Sequence, residues 1–393
     1  MPKSSFLTDL LDDGDVGRFI AEDWGKAMRH WPAGLNRLAC GSLTVGSFET
    51  AIAALNRAHE GWLHFAHQGL QAIPPDYVDE AGQLKMQKIA EAFAAGRTLY
   101  LTKAECIIAP LSQMCLALHE DLANANIAVR EKLNAHVFLT PRNAQGFAPH
   151  RDAHASFILQ CEGQKNWTVY VPRHPAKEVY HPGATGPDEL AAHEAVEIML
   201  EEGDILYMPE WWPHEASASR THSLHVTLRI FPLRFSDVMS NIVQRSVALA
   251  DPVGPEALRD LHTAVTALIA GDAFRTELPE TLASALAQTT RLPERERQSG
   301  LLDRVVKAED ICLDTVLKRN MDMTCYLRET PQNAALFFAD THVSGPLLFR
   351  PVFEFVSGAT EFRPSDLPEI NAQYDRLDVS RRLLRGGLVH AVL

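Results

Sequence analysis

Three residues in the middle of the chain have the types and spacing of a metal-dependent active site. His150 and Asp152 lie two positions apart in APHRDAH, and His214 follows in PEWWPHEA. On an extended segment, side chains two positions apart point to the same side, so His150 and Asp152 can bind one ion together. Two imidazoles and one carboxylate form the facial site of non-heme Fe(II) oxygenases, which leaves positions free for a co-substrate and dioxygen. A closed structural zinc site would leave none free.

The segments around these residues read as short strands separated by turns. Strands are predicted over residues 135–140, 155–161, 167–171, 195–200, 205–208 and 223–231. The turn Glu162-Gly163-Gln164 predicts that the second and third of these strands form a hairpin. Strands at this density are typical of a jelly roll, a double sheet whose interior can hold a small ligand. The iron ligands are then expected at its mouth.

Lys165 is a candidate anion-binding residue. It follows the predicted hairpin turn and faces an otherwise apolar interior. A buried lysine is costly unless an anion meets it, and the distal carboxylate of 2-oxoglutarate would supply that anion. Thr140, at the end of the preceding strand, could add a hydroxyl donor. The competing interpretations are a solvated turn lysine for Lys165 and plain strand packing for Thr140.

Other histidines and tryptophans near these positions receive supporting roles. His154 is interpreted as a rim or substrate-contact residue rather than a ligand. His222 and His225 flank the last strand, where sheet packing is favoured although one could line the pocket. Trp211 and Trp212 are expected to brace the distal ligand His214.

A family resemblance rests on TPRNAQGFAPHRDAHASFILQCEGQKNW, EEGDILYMPEWWPHEA and SLHVTL, within residues 134–231. This pattern resembles the cupin-type JmjC oxygenases, the group that includes the ribosomal oxygenases. The resemblance implies that the two histidines and the aspartate bind Fe(II) and that Lys165 binds the far carboxylate of 2-oxoglutarate. It also implies oxidative decarboxylation of 2-oxoglutarate with dioxygen, yielding succinate and hydroxylation of a substrate C–H bond.

The chain departs from the family pattern near the expected mouth of the barrel. Arg142 and Asn143 stand where relatives tend to have small or glycine-rich residues, and Arg151 separates the first two ligands. With His154, these residues are expected to line the substrate mouth. They affect the prediction of the substrate and leave the iron chemistry unchanged.

The predicted fold class is α+β, a double-stranded β-helix of the jelly-roll, JmjC or cupin type with flanking helices. Residues 1–235 are expected to form the catalytic domain, with a helical lead-in over 1–30 and helices over 47–58, 85–95 and 111–133. Helical periodicity in residues 236–300 resembles the dimerisation region of the ribosomal oxygenases, before a polar linker at 291–300. Residues 301–393 are expected to form a winged-helix-like domain, with strands over 347–350 and 352–356, a helix over 375–386 and a strand over 388–393.

Composition limits the environment and the partners of the protein. A formal net charge of −13 disfavours direct nucleic-acid binding and is compatible with a basic protein substrate. No apolar run is long enough to cross a membrane, and the first ten residues do not resemble a secretion signal. The six cysteines form no CxxC pair, so a reduced cytoplasm is expected.

The sequence therefore predicts an Fe(II)- and 2-oxoglutarate-dependent oxygenase that uses O2 to hydroxylate an amino-acid side chain in a protein or peptide. A basic ribosomal protein is the substrate that the resemblance suggests, and a homodimer is expected. Two alternatives stay open: the same chemistry on a small molecule or natural-product precursor peptide, and a noncatalytic metal-binding cupin that serves as an interaction module.

Overall fold

The computed structural model divides the chain into two compact units. It describes residues 6–11, 15–38, 43–67, 69–125, 127–172, 183–234, 236–237, 240, 266, 270–271, 301–320, 325–329, 332–338, 341–369 and 376–392. The first unit comprises residues 1–127 and 133–232, and the second comprises 128–132 and 233–393. The helices and linker predicted within 236–300 fall almost entirely outside the described residues, and the three-domain division stays a prediction.

The first unit combines short helices with two antiparallel sheets. Its helices are α1 (Phe6–Leu10), α2 (Asp15–Glu22), α3 (Val45–Ala53), α4 (Met86–Ala94), α5 (Ala109–Asn124) and α6 (Pro187–Leu190). Its strands are β1 (Arg29–Trp31), β2 (Leu63–Ala66), β3 (Leu70–Ala72), β4 (Thr98–Leu101), β5 (Asn134–Thr140), β6 (Ala144–Gln145), β7 (His150–Arg151), β8 (Ala155–Gly163), β9 (Lys165–Val171), β10 (Gly183–Ala184), β11 (Glu194–Leu200), β12 (Ile205–Met208), β13 (His214–Ala218) and β14 (Ser223–Ile230). The six predicted strands are all confirmed, with ends that differ by at most two residues.

The two sheets are the double sheet that the strand pattern predicts. One has eight strands in the order β1-β12-β8-β14-β5-β4-β2-β3. The other has the order β10-β7-β13-β9-β11, with β6 paired to β13. The central strands β8 and β14 are buried over nearly their whole length, because their β-branched and aromatic side chains pack on both faces.

The predicted hairpin between β8 and β9 is wrong. β8 pairs with β12 and β14 in the first sheet, whereas β9 pairs with β11 and β13 in the second. Gly163 makes the crossing possible with a φ of +67°, and a Cβ there would lie 2.0 Å from the carbonyl oxygen of His222. The sequence signature of a turn between two strands is the same whether they pair or enter different sheets.

The predicted helices differ from the observed ones mainly at their C-terminal ends. α4 agrees with the prediction, while α3 begins earlier than expected because the Thr44 side chain caps it by accepting from the Ser47 amide at 3.1 Å. α3 ends at Ala53, where Asn56 caps a separate short turn. The prediction of a helix over 111–133 is wrong beyond Asn124.

The second unit has its own apolar core and two three-stranded antiparallel sheets. Its described elements are α7 (Leu301–Asp310), β15 (Val316–Arg319), β16 (Cys325–Glu329), β17 (Asn333–Phe338), β18 (Thr341–Pro346), α8 (Arg350–Gly358), β19 (Glu361–Phe362), α9 (Arg376–Gly386) and β20 (Val389–Val392). The sheets have the orders β19-β15-β20 and β16-β17-β18. The helix predicted over 375–386 and the strand predicted over 388–393 are confirmed as α9 and β20.

The two strands predicted over 347–356 are wrong. Residues Leu347–Phe349 form a 3-10 turn, and α8 follows with Pro351 in its first turn, where a missing amide hydrogen costs nothing. Val352, Phe353 and Val356 are buried. Their spacing of one and four positions fits one face of a helix, so packing against the core overrides the strand preference of these residue types.

Among the described residues, no helix combines the length and the apolar character that crossing a lipid bilayer requires.

Candidate metal centre and adjoining cavity

The structure brings His150, Asp152 and His214 together, as the sequence predicts. His150 begins β7 and His214 begins β13, and the two residues are direct cross-strand partners. The carboxylate of Asp152 lies 3.9 Å from His150 Nε2 and 3.7 Å from His214 Nε2. One candidate ligand atom from each residue lies within 4.8 Å of the other two. The distances suit three donors arranged on one side of a single ion.

Hydrogen bonds orient both imidazoles of this cluster in the same way. His150 Nδ1 lies 2.9 Å from the Ala148 carbonyl oxygen, and His214 Nδ1 lies 2.9 Å from that of Trp212. A carbonyl oxygen only accepts, so each Nδ1 carries the hydrogen, and each Nε2, which lies within 4 Å of the Asp152 carboxylate, keeps a lone pair for a metal. This is the tautomer that a metal-binding histidine adopts, and the donor set therefore fits a divalent metal.

The ionisation states of the cluster also suit a cation. Burial would by itself raise the pKa of Asp152, but the neighbouring His154, His214, His150 and Arg229 hold the pKa at about 2. Burial lowers the pKa of His214 to about 4, assisted by the neighbouring charge of His150. At neutral pH the site thus offers a carboxylate and an unprotonated imidazole without prior loss of protons.

The loop before β13 supports the centre through its backbone. The Trp211 amide donates to the Asp152 carbonyl oxygen at 2.8 Å, with Trp211 at a φ of +68°. The Trp212 carbonyl accepts from His214 at 2.9 Å. The Trp212 backbone therefore braces His214, as expected, whereas the Trp211 backbone braces the Asp152 segment instead.

A cavity of about 210 Å³ adjoins the centre and is lined by residues of both sheets. Ile158, Trp167 and Met208 form part of its apolar wall and belong to one buried cluster. Lys165 is the first residue of β9, lines the cavity and is only 4% exposed. Its Nζ donates to Thr140 Oγ1 at 2.9 Å.

Lys165 is a buried cation with no buried anion beside it. No carboxylate of the described part of the chain lies within ion-pair distance of its Nζ, and burial lowers its pKa to about 7. The nearby His225 is also buried, and its Nδ1 has no hydrogen-bond partner among the described residues. The pKa of His225 is well below its ordinary value because of burial and the charge of Lys165. This end of the cavity can receive an anion.

The four residues expected at the substrate mouth occupy different environments. His154 lines the cavity, with its Nδ1 2.9 Å from Ser156 Oγ and its Nε2 3.6 Å from Asp152. It is 6% exposed and is not part of the three-residue cluster. Burial lowers its pKa to about 4.

The other three residues are not among those that line the cavity. Arg151 is buried and forms an ion pair with Glu189, because its side chain points to the face opposite to that of its neighbour His150. Arg142 is exposed in the loop after β5, and Asn143 holds that loop with a φ of +61°.

A second polar group lines the cavity and was not identified from the sequence. It consists of Tyr100 on β4, His136 on β5 and Arg229 on β14. Arg229 Nη1 lies 3.0 Å from His136 Nε2, and His136 Nδ1 lies 2.5 Å from the Tyr100 hydroxyl. The sequence did carry a signal for this group, because polar residues such as His136 and Arg229 alternate with apolar residues along β5 and β14.

Comparison with known proteins agrees with this geometry. Residues 116–238 match the JmjC domain family. The chain carries a JmjC domain. That domain contains the three clustered residues together with Thr140, Lys165 and Arg229.

Curated relatives share this part of the chain. A bifunctional lysine-specific demethylase and histidyl-hydroxylase NO66 from Aedes aegypti is 45% identical over 101 residues, 25% of this chain and 16% of that protein. Its Drosophila melanogaster namesake is 31% identical over 168 residues, 40% of this chain and 25% of that protein. Ribosomal oxygenase 1 from Rattus norvegicus is 41% identical over 99 residues, 25% of this chain and 17% of that protein. The chain thus matches a quarter or less of these relatives' lengths.

Solved structures extend the likeness of the fold beyond the JmjC domain. The X-ray structure of Escherichia coli YcfD covers 97% of this chain, which covers 98% of YcfD, with a TM-score of 0.54 and 15% identity. A structure of Escherichia coli YcfD, described as a ribosomal oxygenase, in complex with cobalt and 2-oxoglutarate covers 98% of this chain and 99% of YcfD, with a TM-score of 0.50 and 15% identity. At this identity the likeness establishes a shared cupin-type fold.

Proposed function

We propose that the protein is an Fe(II)- and 2-oxoglutarate-dependent oxygenase that hydroxylates an amino-acid side chain in a protein or peptide. The observation that carries the proposal is the combination, at one cavity, of a two-histidine, one-carboxylate cluster and a buried lysine without an anionic partner. The names of the relatives, which include histidyl-hydroxylase and ribosomal oxygenase, favour the same class.

In this proposal His150, Asp152 and His214 hold Fe(II). Their Nε2 lone pairs and carboxylate converge within 4.8 Å, and the second nitrogen of each imidazole is fixed by a carbonyl oxygen. Three protein donors leave the remaining coordination positions for 2-oxoglutarate and O2, as in other facial-triad sites.

Lys165 and Thr140 bind the distal carboxylate of 2-oxoglutarate in this proposal. A cation that is 4% exposed, and whose pKa burial lowers to about 7, is stabilised by any anion that enters the cavity. Thr140 already shares a hydrogen bond with Lys165 and can turn its own hydroxyl hydrogen toward the same carboxylate. The structure of YcfD in complex with cobalt and 2-oxoglutarate supports the assignment of the co-substrate.

When bound, iron, 2-oxoglutarate and O2 supply oxidative decarboxylation coupled to the transfer of one oxygen atom to a C–H bond. The residues of this chain hold the components in place and keep water out. Ile158, Trp167 and Met208 provide an apolar wall, and the carbonyl oxygens that accept from the two imidazoles prevent these rings from turning.

The substrate is proposed to be a protein or peptide, with a basic ribosomal protein as the first candidate. Support comes from the name of the rat relative, ribosomal oxygenase 1, and from the acidic net charge of this chain, −13. A negatively charged protein attracts a basic partner over long range. Arg142 and Asn143, which are exposed and lie outside the cavity lining, are candidates for contact with the flanking chain of the substrate, and His154 is a candidate for contact at the site itself; Arg151, buried against Glu189, is not.

The experiment is succinate formation from 2-oxoglutarate by anaerobically iron-loaded protein after exposure to air, with and without a pool of ribosomal proteins and peptides. We expect succinate to rise with the pool, together with a mass gain of about 16 Da in one of its members. Succinate that does not rise with the pool would point to a small-molecule substrate. Iron binding without any succinate would contradict the proposal and favour a noncatalytic cupin.

The proposal also covers assembly and location. Residues 236–300 are proposed to mediate a homodimer, and residues 301–393 to form a winged-helix-like domain of a cytoplasmic protein. The proposed winged-helix-like domain is supported by helices α7 to α9, short antiparallel sheets and a core of its own in the second unit. Light scattering coupled to size-exclusion chromatography should give twice the chain mass, and a single-chain mass at every concentration would contradict the dimer.

A further inference from the structure

Three cavity residues form a hydrogen-bonded chain that the proposed iron and 2-oxoglutarate sites do not use. Arg229 Nη1 lies 3.0 Å from His136 Nε2 and 3.3 Å from Asn134 Oδ1, and the Arg229 guanidinium lies over the Phe231 ring at 4.9 Å. His136 Nδ1 lies 2.5 Å from the Tyr100 hydroxyl. Asn134 and Phe231 therefore fix the position of the Arg229 guanidinium, from which the series of hydrogen bonds starts.

The direction of the hydrogen bonds follows from the chemistry of Arg229. A guanidinium has donors and no acceptor, so His136 Nε2 must accept from it. Burial, followed by the charge of Arg229, lowers the pKa of His136 well below its ordinary value, so this imidazole is neutral and carries one hydrogen. That hydrogen is on Nδ1 and is donated to the Tyr100 oxygen.

Tyr100 consequently has its own hydroxyl hydrogen to donate elsewhere. Within the described ranges no acceptor of the protein takes it, and Tyr100 lines the cavity that also contains Asp152. The ring is held by stacking on Phe138 with centroids 4.5 Å apart, and Phe138 stacks in turn on His225 at 4.7 Å. Burial raises the pKa of Tyr100 to about 12, so the hydroxyl keeps its hydrogen throughout the neutral range.

We propose that Tyr100 determines substrate specificity by donating its hydroxyl hydrogen to the target side chain, and that this side chain has an acceptor atom and no positive charge. Amide, carboxylate and unprotonated imidazole groups meet this condition. Guanidinium and ammonium groups do not, because they only donate and because Arg229 repels them. Arg229 and His136 are positioning residues that act through Tyr100. The role of Tyr100 toward a substrate rests on the proposed oxygenase function. The direction of the hydrogen bonds from Arg229 through His136 to Tyr100 does not depend on that function.

The first test measures the tautomer of His136 without any turnover. Nitrogen-15 NMR of the zinc-loaded full chain with labelled histidine, assigned with His136→Gln, should show a neutral ring with the hydrogen on Nδ1. A hydrogen on Nε2, or a protonated ring at neutral pH, would overturn the proposal. Because this spectrum requires no activity, it still decides the direction of the chain if the protein forms no succinate and the proposed function fails.

The second test compares Tyr100→Phe with Tyr170→Phe. Both variants lose one hydroxyl, but Tyr170 donates to Glu215 at 2.8 Å and does not line the cavity. The probe is a synthetic peptide library in which every residue type is present, and mass spectrometry locates the added oxygen. The oxygen should fall on residues such as Asn, Asp or His.

Tyr100→Phe should lower kcat/KM for the best peptide about tenfold, because it removes one hydrogen bond to a buried acceptor. It should leave unchanged the KM for 2-oxoglutarate and the succinate formed without peptide, and Tyr170→Phe should leave all three values unchanged. Oxygen on Arg or Lys side chains, or an unchanged kcat/KM in Tyr100→Phe, would overturn the proposal.

Discussion

Replacing Lys165 with methionine should stabilise the ligand-free protein and weaken 2-oxoglutarate binding at the same time. The pKa of this buried lysine falls from 10.5 to about 7, and at about 1.36 kcal/mol per pH unit the charged form costs about 5 kcal/mol. Methionine fills nearly the same volume without a charge. It leaves the Thr140 oxygen without a donor, which costs about 1 to 2 kcal/mol. The net expected gain is about 3 kcal/mol at pH 7.

The pH dependence of this gain has a definite sign. Below the folded-state pKa of about 7 the lysine is charged in both states and the full cost is present. Between pH 7 and 10.5 the folded state loses the proton first, so the cost declines and disappears above the unfolded value of 10.5. The stability difference between Lys165→Met and the unmodified protein should therefore shrink steadily as the pH rises above 7.

Two assays check the two halves of this prediction. Denaturant unfolding of ligand-free protein at several pH values measures the stability gain, which corresponds to roughly 6–12 °C in Tm for a unit of this size. Succinate formation at varied 2-oxoglutarate concentration measures the affinity. A buried charge contact is worth about 2 kcal/mol or more, so KM should rise at least about 30-fold. A less stable variant with an unchanged KM would refute the reasoning.

The remaining predictions concern individual residues of the centre and of the sheet crossing. His150→Ala should abolish succinate formation and lower bound iron while the circular dichroism spectrum stays unchanged; His222→Ala, outside the cavity lining, is the control. Thr140→Val should raise the KM for 2-oxoglutarate by less than Lys165→Met does, and an equal or larger rise would assign the anchor to Thr140. Gly163→Ala should lower the free energy of unfolding by about 2 kcal/mol or more, because residue 163 has a φ of +67° and the added Cβ would lie 2.0 Å from a backbone carbonyl oxygen. Unchanged stability in denaturant unfolding would contradict the backbone geometry by which the chain passes from β8 to β9.

The proximity of His150 and Asp152 could be predicted because it depends on local spacing, whereas His214 was assigned from its residue type and from the family resemblance. His150 and Asp152 lie two positions apart where β7 ends, and His214 begins another strand of the same sheet. The six strands of the barrel were equally recognisable, since short apolar runs between turns change little with tertiary context. The strands and the His150–Asp152 spacing depend on neighbours within a few residues.

Features that depend on distant partners were missed. The pairing of β8 and β9 is decided by which sheet each strand enters, and a turn sequence carries no information about that choice. The Tyr100, His136 and Arg229 group is assembled from β4, β5 and β14, which are neighbours only in the folded sheet. Arg151 was expected at the mouth, but the alternation that places His150 in the cavity points Arg151 away from it toward Glu189.

The most direct measurement is succinate formation per bound iron in the unmodified protein and in Asp152→Ala, with 2-oxoglutarate and air supplied to both and metal content determined in parallel. Asp152 supplies the carboxylate that lies within 4 Å of both imidazole Nε2 atoms. An oxygenase centred on these residues predicts repeated turnover by the unmodified protein and none by Asp152→Ala. Equal succinate from both proteins, or none from fully iron-loaded unmodified protein, would contradict it.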